Sequence, residues 1–468
     1  MIAVAIVGAI TTLVFYDRLF RERAAPYFES DEEHFLHGSI GAETNEGVPY
    51  WIWLVLPRIF PDLLPAPGGY ASLGMSWKPG YDLPIGLTRV TIGYPRVAMN
   101  CAFCHTGSVR NAPGDMPTIV PGAPAHQTAA QAYARFLMAA AADERFNAGN
   151  ILGEIARNYR LPAIDRLLYR FVIIPGTRQR LLRLEEQSAW MDERPDWGPG
   201  RADVLSPIKF HRLGREHDQA IGSADMMALW NTADGQARGF FWDGLNRSLQ
   251  DAVVTSALSA GSSRPWLDED IDKRDDTDPR ETSSLRRIER YIAALKPPAY
   301  PFPVDQALAA RGQAVYMTEC AQCHAGTGTR SADTDPSRHS VWTQPAAIAY
   351  ATFSARHAWQ SPEFRIADSY VAVPLDGLWL RAPYLHNGSV PSLRHLLEPP
   401  SARPARFWRG YDVYDPVNVG FVSDGAEAQR AGFLYDTTLP GNSNAGHAFG
   451  TELPADAKSA LLEYLKTR

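Results

Sequence analysis

Cysteine is scarce in this 468-residue chain, which contains only four. All four fall in two copies of one pattern, Cys101-Ala-Phe-Cys-His105 and Cys320-Ala-Gln-Cys-His324, so none remains for a disulfide. The chain also lacks low-complexity runs and any repeat beyond these two motifs. With 45% hydrophobic and 11% aromatic residues, it has the composition of a globular protein that is long enough for two or three domains.

Charge of one sign is also not in excess. The formal net charge is -6, and charged residues of both signs are spread along the chain. This distribution predicts no electrostatic footprint for nucleic acid and no polybasic membrane patch.

The two CxxCH motifs are typical of covalent haem attachment. In such a motif each cysteine forms a thioether with a vinyl group of the porphyrin, and the adjacent histidine ligates the iron. A pair of zinc sites is the alternative, but zinc requires four ligands per site and CxxCH supplies at most three. We therefore expect two covalently bound haem c groups as cofactors. Their attachment residues are Cys101, Cys104, His105, Cys320, Cys323 and His324.

Long apolar runs are missing apart from one near the N-terminus. Residues 2–16 are uncharged and apolar, and residues 17–23 are rich in charge. Fifteen residues make about 22 Å of helix, short for a hydrocarbon core of about 30 Å and within the range of a signal peptide. Because no small-x-small cleavage site follows closely, we expect an uncleaved signal anchor, with a cleaved signal peptide as the alternative.

Covalent haem also predicts a cellular location. In bacteria it is attached outside the cytoplasmic membrane, so we expect the protein on the periplasmic side of the inner membrane, anchored by its N-terminal helix. The alternative is a soluble periplasmic protein after signal cleavage. The arginines that follow the apolar run disagree with this orientation under the positive-inside rule, and the haem argument outweighs them.

Helical periodicity dominates the rest of the chain, so the fold class that we expect is mainly α. It would consist of two cytochrome c-like haem domains with long loop insertions, plus an N-terminal membrane-anchor helix. The proline cluster at 296–303 is the best domain boundary. We expect an anchor at 1–24, an N-terminal haem domain with a helical insertion at 25–297, and a C-terminal cytochrome c domain at 298–468. The Trp-rich segment 48–70 is expected to pack inside the protein rather than to dip into a membrane.

Methionine is absent after Met317, three residues before the second motif. The iron on His324 therefore has no downstream methionine as a sixth ligand, and histidine or no ligand is left. His447 is the favoured candidate, because the glycines around it allow the backbone to approach a porphyrin. His386 is the second candidate. Ordinary structural roles are expected for His339, His357 and His395.

The N-terminal iron has no outstanding candidate for its far side. Met116, His126 and Met138 are near in sequence, and an open position, which dioxygen or peroxide would need, is an equal alternative. Between the two motifs, Phe241 and Trp242 lie in the sequence GFFWDG. They are either ordinary core residues or functional ones, with the tryptophan held between two porphyrins or lining a dry pocket.

The order CxxCH, FWDG, CxxCH and APYLHNGSVPSL resembles the bacterial di-haem cytochrome c peroxidase superfamily. The stretches IGSADMMALWN, APYLHNGSVPSLRHLL and GNSNAGHAFG are similar to its rubber-oxygenase-type, RoxA-like branch. The resemblance implies a reactive N-terminal haem on His105 and a C-terminal haem ligated by His324 and His447. It also implies that Phe241 and Trp242 lie near the reactive haem.

The expected function is that of a membrane-anchored di-haem c-type cytochrome with oxidoreductase activity, whose N-terminal haem reacts with oxygen or peroxide and whose C-terminal haem relays electrons. A pure electron-transfer cytochrome and a di-haem peroxidase are the alternatives. Peroxidases of the superfamily carry an acid about twenty residues after the FWDG tryptophan, and the nearest acids here are Asp251 and Asp268. The expected partners are a periplasmic or membrane electron carrier and a small apolar, oxygen or peroxide substrate, without nucleic acid.

Overall fold

Helices and strands both contribute to this fold. The computed structural model describes residues 2–232, 239–242, 244–273, 281–325, 344–354, 357 and 370–468. Helix accounts for 45% and strand for 11% of the structure. The predicted fold class is therefore wrong in two respects, the extent of β structure and the membrane anchor.

Most helices are short and are separated by loops. Those that the structure describes are α1 (Ile2–Leu19), α2 (Asp31–His37), α3 (Tyr50–Ile59), α4 (Ala130–Ala142), α5 (Ala148–Asn158), α6 (Ala163–Leu168), α7 (Ile174–Ser188), α8 (Leu249–Ser259), α9 (Arg264–Asp272), α10 (Ser284–Ala294), α11 (Gln306–Glu319), α12 (Ala321–His324), α13 (Gln344–Ser354), α14 (Leu393–Leu396), α15 (Gly425–Ala431) and α16 (Ala455–Leu465). A π-helical turn, Tyr169–Ile173, joins α6 to α7.

The strands are also short, and they pair antiparallel. They are β1 (Val48–Pro49), β2 (Leu87–Ile92), β3 (Tyr94–Met99), β4 (Thr106–Val109), β5 (Thr118–Pro121), β6 (Arg201–Ala202), β7 (Ala224–Asp225), β8 (Arg406–Arg409), β9 (Tyr414–Asp415), β10 (Gly420–Phe421) and β11 (Phe433–Asp436). One sheet has the order β1-β3-β2, and the pairs β4-β5, β6-β7, β8-β11 and β9-β10 form two-stranded sheets.

The β2-β3 hairpin is β structure that the mainly helical prediction did not include, and it lies next to the first motif. Its residues pair from Leu87 with Met99 to Ile92 with Tyr94, and Gly93 takes the left-handed φ of 72° that the tight turn requires. Thr, Val and Ile in this stretch favour a pleated strand. The hairpin ends one residue before the cap of the first CxxCH motif, so β structure positions that motif.

The predicted membrane-anchor helix is the second error. Within the described part of the chain, no helix combines the length and the apolar character needed to cross a membrane. Helix α1 has 18 residues and includes Asp17 and Arg18 near its end. Arg18 pairs with Asp165 of α6, with an Nη1–Oδ1 distance of 3.0 Å. The charged end of the helix therefore lies against the protein body.

Helix α3 of the Trp-rich segment 48–70 packs into the protein core, as predicted, whereas residues 61–69 are exposed or half-buried. Trp53 on α3 is 1% exposed, and its ring stacks on Tyr70 with the centroids 4.3 Å apart. The Trp53 indole donates to the Tyr133 hydroxyl at 3.0 Å, so this buried N–H is satisfied. The segment thus joins α3 and α4 into one hydrophobic core beside the first motif.

The C-terminal part is built on the crossing of α11 and α16. These helices meet at Gly312, where an added Cβ would lie 1.9 Å from the Ala460 carbonyl oxygen and 2.8 Å from Tyr464 Cβ. Next to this contact, the rings of Tyr316 and Tyr464 are 5.1 Å apart. Only glycine permits so close an approach of two helices. Because α11 leads directly into the second motif, this crossing sets where that motif lies.

Substitution Gly312→Ala is expected to destabilise the protein by roughly 1–3 kcal/mol, because the new methyl group has no room at the crossing. The matched control is Gly153→Ala on α5, where nothing lies within 4 Å of an added Cβ. The control should keep or slightly raise the stability, since alanine is the better helix former. Thermal unfolding of the purified full chain measures both changes. Equal melting of the two variants would contradict the close crossing.

Candidate functional site

The first CxxCH motif starts from a capped turn. The Asn100 side chain accepts a hydrogen bond from the Ala102 amide and donates to the carbonyls of Phe35 and Gly38, all at 3.0 Å. This cap fixes the short 3-10 turn Cys101–Phe103 immediately after the hairpin. Burial raises the pKa of both motif thiols to about 12, so Cys101 and Cys104 are neutral thiols in the polypeptide.

His105 is held by one ring nitrogen. Its Nδ1 lies 2.8 Å from the carbonyl oxygen of Met227. A carbonyl only accepts hydrogen bonds, so Nδ1 carries the proton and Nε2 keeps its lone pair. Burial lowers the pKa of His105 to about 4, so the ring is neutral. A neutral imidazole with a fixed tautomer is the form that ligates a metal.

The second motif repeats this arrangement. Cys320 is the cap residue between α11 and α12, and α12 carries the remainder of the motif to His324. The Nδ1 of His324 lies 3.0 Å from the carbonyl oxygen of Val373, and burial lowers the pKa of the ring. Both motif histidines therefore use a distant main-chain carbonyl in the same way. The sequence contains no signal for Met227 or Val373 in this role, because the main chain and not the side chain does the work.

His447 faces His324. The ring centroids are 6.3 Å apart, and the ring planes are inclined by 46°. Two imidazoles on opposite sides of one metal ion, each with a bond of about 2.0 Å, have centroids roughly 6 Å apart. The spacing of these two rings therefore fits a shared iron. The structure brings together the two histidines that the sequence paired.

The backbone of His447 is unusual, and Arg403 holds it. His447 has a φ of 54°, in the left-handed region that non-glycine residues rarely adopt. The buried guanidinium of Arg403 donates to several carbonyls of this loop and of the turn after α14. The acceptors are Leu396, Glu398, Asn444, Gly446 and His447. Sequence reasoning missed Arg403, since nothing in the motif spacing points to it.

The other C-terminal histidines make different contacts. His386 stacks on Tyr370 with centroids 4.1 Å apart. His357 Nδ1 lies 2.7 Å from a carboxylate oxygen of Asp268. His395 Nδ1 lies 2.7 Å from the Ser392 hydroxyl, at the start of α14. His339 lies outside the described residues.

The three residues predicted as candidate ligands opposite His105 are in different surroundings. Met116 is 88% exposed. Met138 lies in a hydrophobic cluster with Trp190, Met191, Trp197 and Phe210. His126 is buried and stacks on Phe421 with centroids 3.6 Å apart, and burial lowers its pKa to about 4.

Phe241 and Trp242 lie at the tip of a tight turn. Phe240 and Asn246 pair across the turn, and Phe241 has a left-handed φ of 63°. Phe241 packs against the same hydrophobic cluster as Cys101. This packing fits the role of an ordinary core residue for Phe241, and a functional role for Phe241 and Trp242 stays a prediction.

Trp242 is hydrogen-bonded to both segments that orient the motif histidines. Its indole N–H donates to the Asp225 carbonyl at 2.9 Å, and its own carbonyl accepts from the Val371 amide at 2.8 Å. Asp225 stands two residues before Met227, and Val371 stands two residues before Val373. One tryptophan thus connects the two carbonyl supports through short stretches of main chain.

A buried ion pair fixes the first of these segments. Arg409 Nη2 donates to the Asp225 carboxylate at 2.6 Å, and Arg409 Nε donates to the Pro199 carbonyl at 2.7 Å. Burial raises the pKa of Asp225 to about 6, and the charge of Arg409 opposes this rise. The fork of the guanidinium therefore locks β7 and β8 together.

Comparison with known proteins finds a family match for the segment that contains Val371 and Val373. Residues 369–409 match the family described as RoxA-like, cytochrome c-like. The uncharacterized protein y4iM of Sinorhizobium fredii is 35% identical over 230 residues, which are 39% of this chain and 53% of that protein. The uncharacterized protein y4iJ of the same organism is 47% identical over 108 residues, which are 21% of this chain and 18% of that protein. The chain spans about half or less of these relatives.

The matched stretch contains residues that the geometry singles out. It includes the Val373 carbonyl that accepts from His324, the Arg403 guanidinium that holds the His447 loop, and Arg409 of the buried ion pair. Over this short stretch the chain is therefore similar to RoxA-like, cytochrome c-like domains, and a domain of this kind implies haem c binding.

Proposed function

We propose that the protein is a periplasmic di-haem c-type cytochrome with oxidoreductase activity. In this proposal the N-terminal haem on His105 is the site that reacts with oxygen or peroxide, and the C-terminal haem relays electrons. The observation that carries it is the pair of imidazole rings, His324 and His447, whose centroids are 6.3 Å apart. The identical Nδ1–carbonyl contact in both motifs supports a second haem of the same type.

The residues for holding each cofactor fit the chemistry of haem c. Haem c supplies reversible one-electron chemistry at its iron. The thiols would hold the porphyrin edges, and the neutral histidines would supply an Nε2 lone pair to each iron. The residues are Cys101, Cys104 and His105 for one haem, and Cys320, Cys323, His324 and His447 for the other.

The two haem sites differ in ways that support different roles. An iron with histidine on both sides has no open position and suits electron transfer. At the first site, the Met116 side chain is exposed to solvent and the Met138 side chain is enclosed in a separate hydrophobic cluster. This supports an open position on the His105 side, where a small apolar substrate with oxygen, or peroxide, would react.

Trp242 is proposed to position the two haem-binding segments relative to each other and to assist electron transfer between them. Support comes from its two hydrogen bonds, to the Asp225 carbonyl and from the Val371 amide. An electron carrier of the periplasm or the membrane is the proposed redox partner.

A pure electron-transfer cytochrome is the second candidate, and His126 is the observation that favours it. Its neutral, buried ring lies in the loop that returns to the first motif, where the Ala125 amide donates to the Cys104 carbonyl at 3.0 Å. If this histidine ligated the first iron, neither iron would have an open coordination position.

The peroxidase alternative has less support, because one of the two nearest acids, Asp268, already binds His357.

The number and the reactivity of the haems form one test. The purified full chain should exceed the mass of the bare polypeptide by two haem groups. Cyanide should change the absorption spectrum of only one of them, because His324 and His447 close the other. One haem in the mass spectrum would contradict the di-haem proposal. Two haems that both ignore cyanide would favour the electron-transfer candidate.

Substitution His447→Ala is expected to convert the C-terminal haem from low spin to high spin, because one axial ligand is lost. His395→Ala is the matched control, since this ring is held by Ser392 in the same region. Absorption and electron paramagnetic resonance spectra of the full chain measure the spin state. A low-spin C-terminal haem in the His447 variant would show that another residue is the ligand.

Substitution Trp242→Phe is expected to slow electron transfer between the haems on the order of tenfold, which corresponds to about 1.4 kcal/mol of barrier. The reason is the loss of the indole hydrogen bond that ties the turn to Asp225. The control is Trp190→Phe, which changes a buried tryptophan of the separate cluster around Met138. Stopped-flow reduction measures the transfer rate. Equal rates in both variants would remove Trp242 from this role.

A further inference from the structure

Positive charge is concentrated in one stretch of this acidic chain. The arginine-rich segment, residues 157–183, contains seven arginines and one acid, Asp165, so it carries a net charge of +6 while the whole chain carries -6. The arginines are Arg157, Arg160, Arg166, Arg170, Arg178, Arg180 and Arg183. The expectation of evenly spread charge fails here. A run of arginines of this kind either binds an anionic partner or lies on a face that contacts only solvent.

The same segment exposes large apolar side chains. Helix α6 and the π-helical turn after it have an inner face that is buried in the core, with Leu168, Tyr169 and Ile173. Their outer face is apolar as well. The side chains on it and their exposed fractions are Ile164 at 39%, Leu167 at 58%, Phe171 at 68% and Val172 at 44%. A helix that only faces water would carry polar residues there.

Charge on the outer face is of one sign. The single acid of the segment, Asp165, pairs with Arg18 of α1 at 3.0 Å, and Arg157 at the start of the segment pairs with Glu154 of α5 at 2.8 Å. Arg166 and Arg170 are exposed and flank the apolar side chains, and the Arg170 guanidinium lies 5.8 Å from the centre of the Phe171 ring. Acidic residues return only at Glu185 and Glu186, more than three helical turns beyond Val172.

We propose that the arginine-rich segment is a docking surface for the headgroup region of an anionic lipid membrane. Leucine and phenylalanine side chains enter the boundary between headgroups and acyl chains, and neighbouring arginines keep their guanidinium groups at the phosphates. A nucleic acid would use the arginines but would leave the exposed apolar side chains in water. The combination of aliphatic, aromatic and basic groups on one face is what a lipid surface complements.

Vesicle binding by the purified full chain tests this surface. The protein should sediment with vesicles of phosphatidylcholine that contain phosphatidylglycerol, and much less with pure phosphatidylcholine. Binding should weaken as salt is raised, because the arginine contribution is screened. An equal response to both vesicle types, or no binding at low salt, would overturn the proposal. Self-association without vesicle binding would instead assign this face to a second copy of the chain.

Two double variants separate the contributions of the face. Leu167→Asn with Phe171→Ser, and Arg166→Gln with Arg170→Gln, should each lower the affinity for anionic vesicles about tenfold or more. The matched control is Val417→Ser with Leu439→Asn, which changes exposed apolar residues elsewhere. All these positions are exposed, so the melting temperature should stay unchanged. If both variants bound like the wild type, the membrane contact would lie elsewhere and the proposal would fail.

Discussion

The hydrogen bond between each motif histidine and a distant main-chain carbonyl is the constraint on which the site depends. An imidazole can place its proton on either nitrogen, and the acceptors at Met227 and Val373 decide which one carries it. Each acceptor lies far along the chain from its histidine, so the motif is useful only when the surrounding fold is complete. The short β6-β7 sheet and the Asp225–Arg409 ion pair hold the first acceptor segment. Folding and cofactor geometry are therefore coupled.

The position of His447, opposite His324 in the second site, depends on a different interaction. His447 occupies a left-handed conformation that costs a non-glycine residue about 1 kcal/mol or more. Arg403 offsets this cost by binding the carbonyls of Asn444, Gly446 and His447 together. A planar guanidinium fixes several carbonyls at once, which a lysine does not. The loop can therefore present a histidine in a left-handed conformation.

The sequence was sufficient to predict the residues whose type and spacing indicate their chemistry. The CxxCH motifs follow from cysteine spacing. The proximity of His447 to His324 follows from the absence of methionine after Met317 and from the glycines around His447. The sequence could not predict the roles of Met227, Val373 and Arg403. The first two act through main-chain carbonyls, and a single arginine forms no recognisable motif. The anchor helix was predicted from a window of apolar residues, and the short β strands were missed because their alternation is brief.

The prediction of evenly spread charge was wrong for a related reason. The net charge of a chain does not show how the charged residues are distributed along it. A net charge of -6 is compatible with a segment at +6 when acids are concentrated elsewhere. The side chains exposed beside the arginines then indicate whether such a segment is an ordinary solvated surface or a binding surface. Arginines on a helix with a polar outer face would be an ordinary solvated surface, whereas here Leu167 and Phe171 are more than half exposed between them. A monomer that leaves these side chains in water gives up apolar burial, and an interfacial partner would recover it.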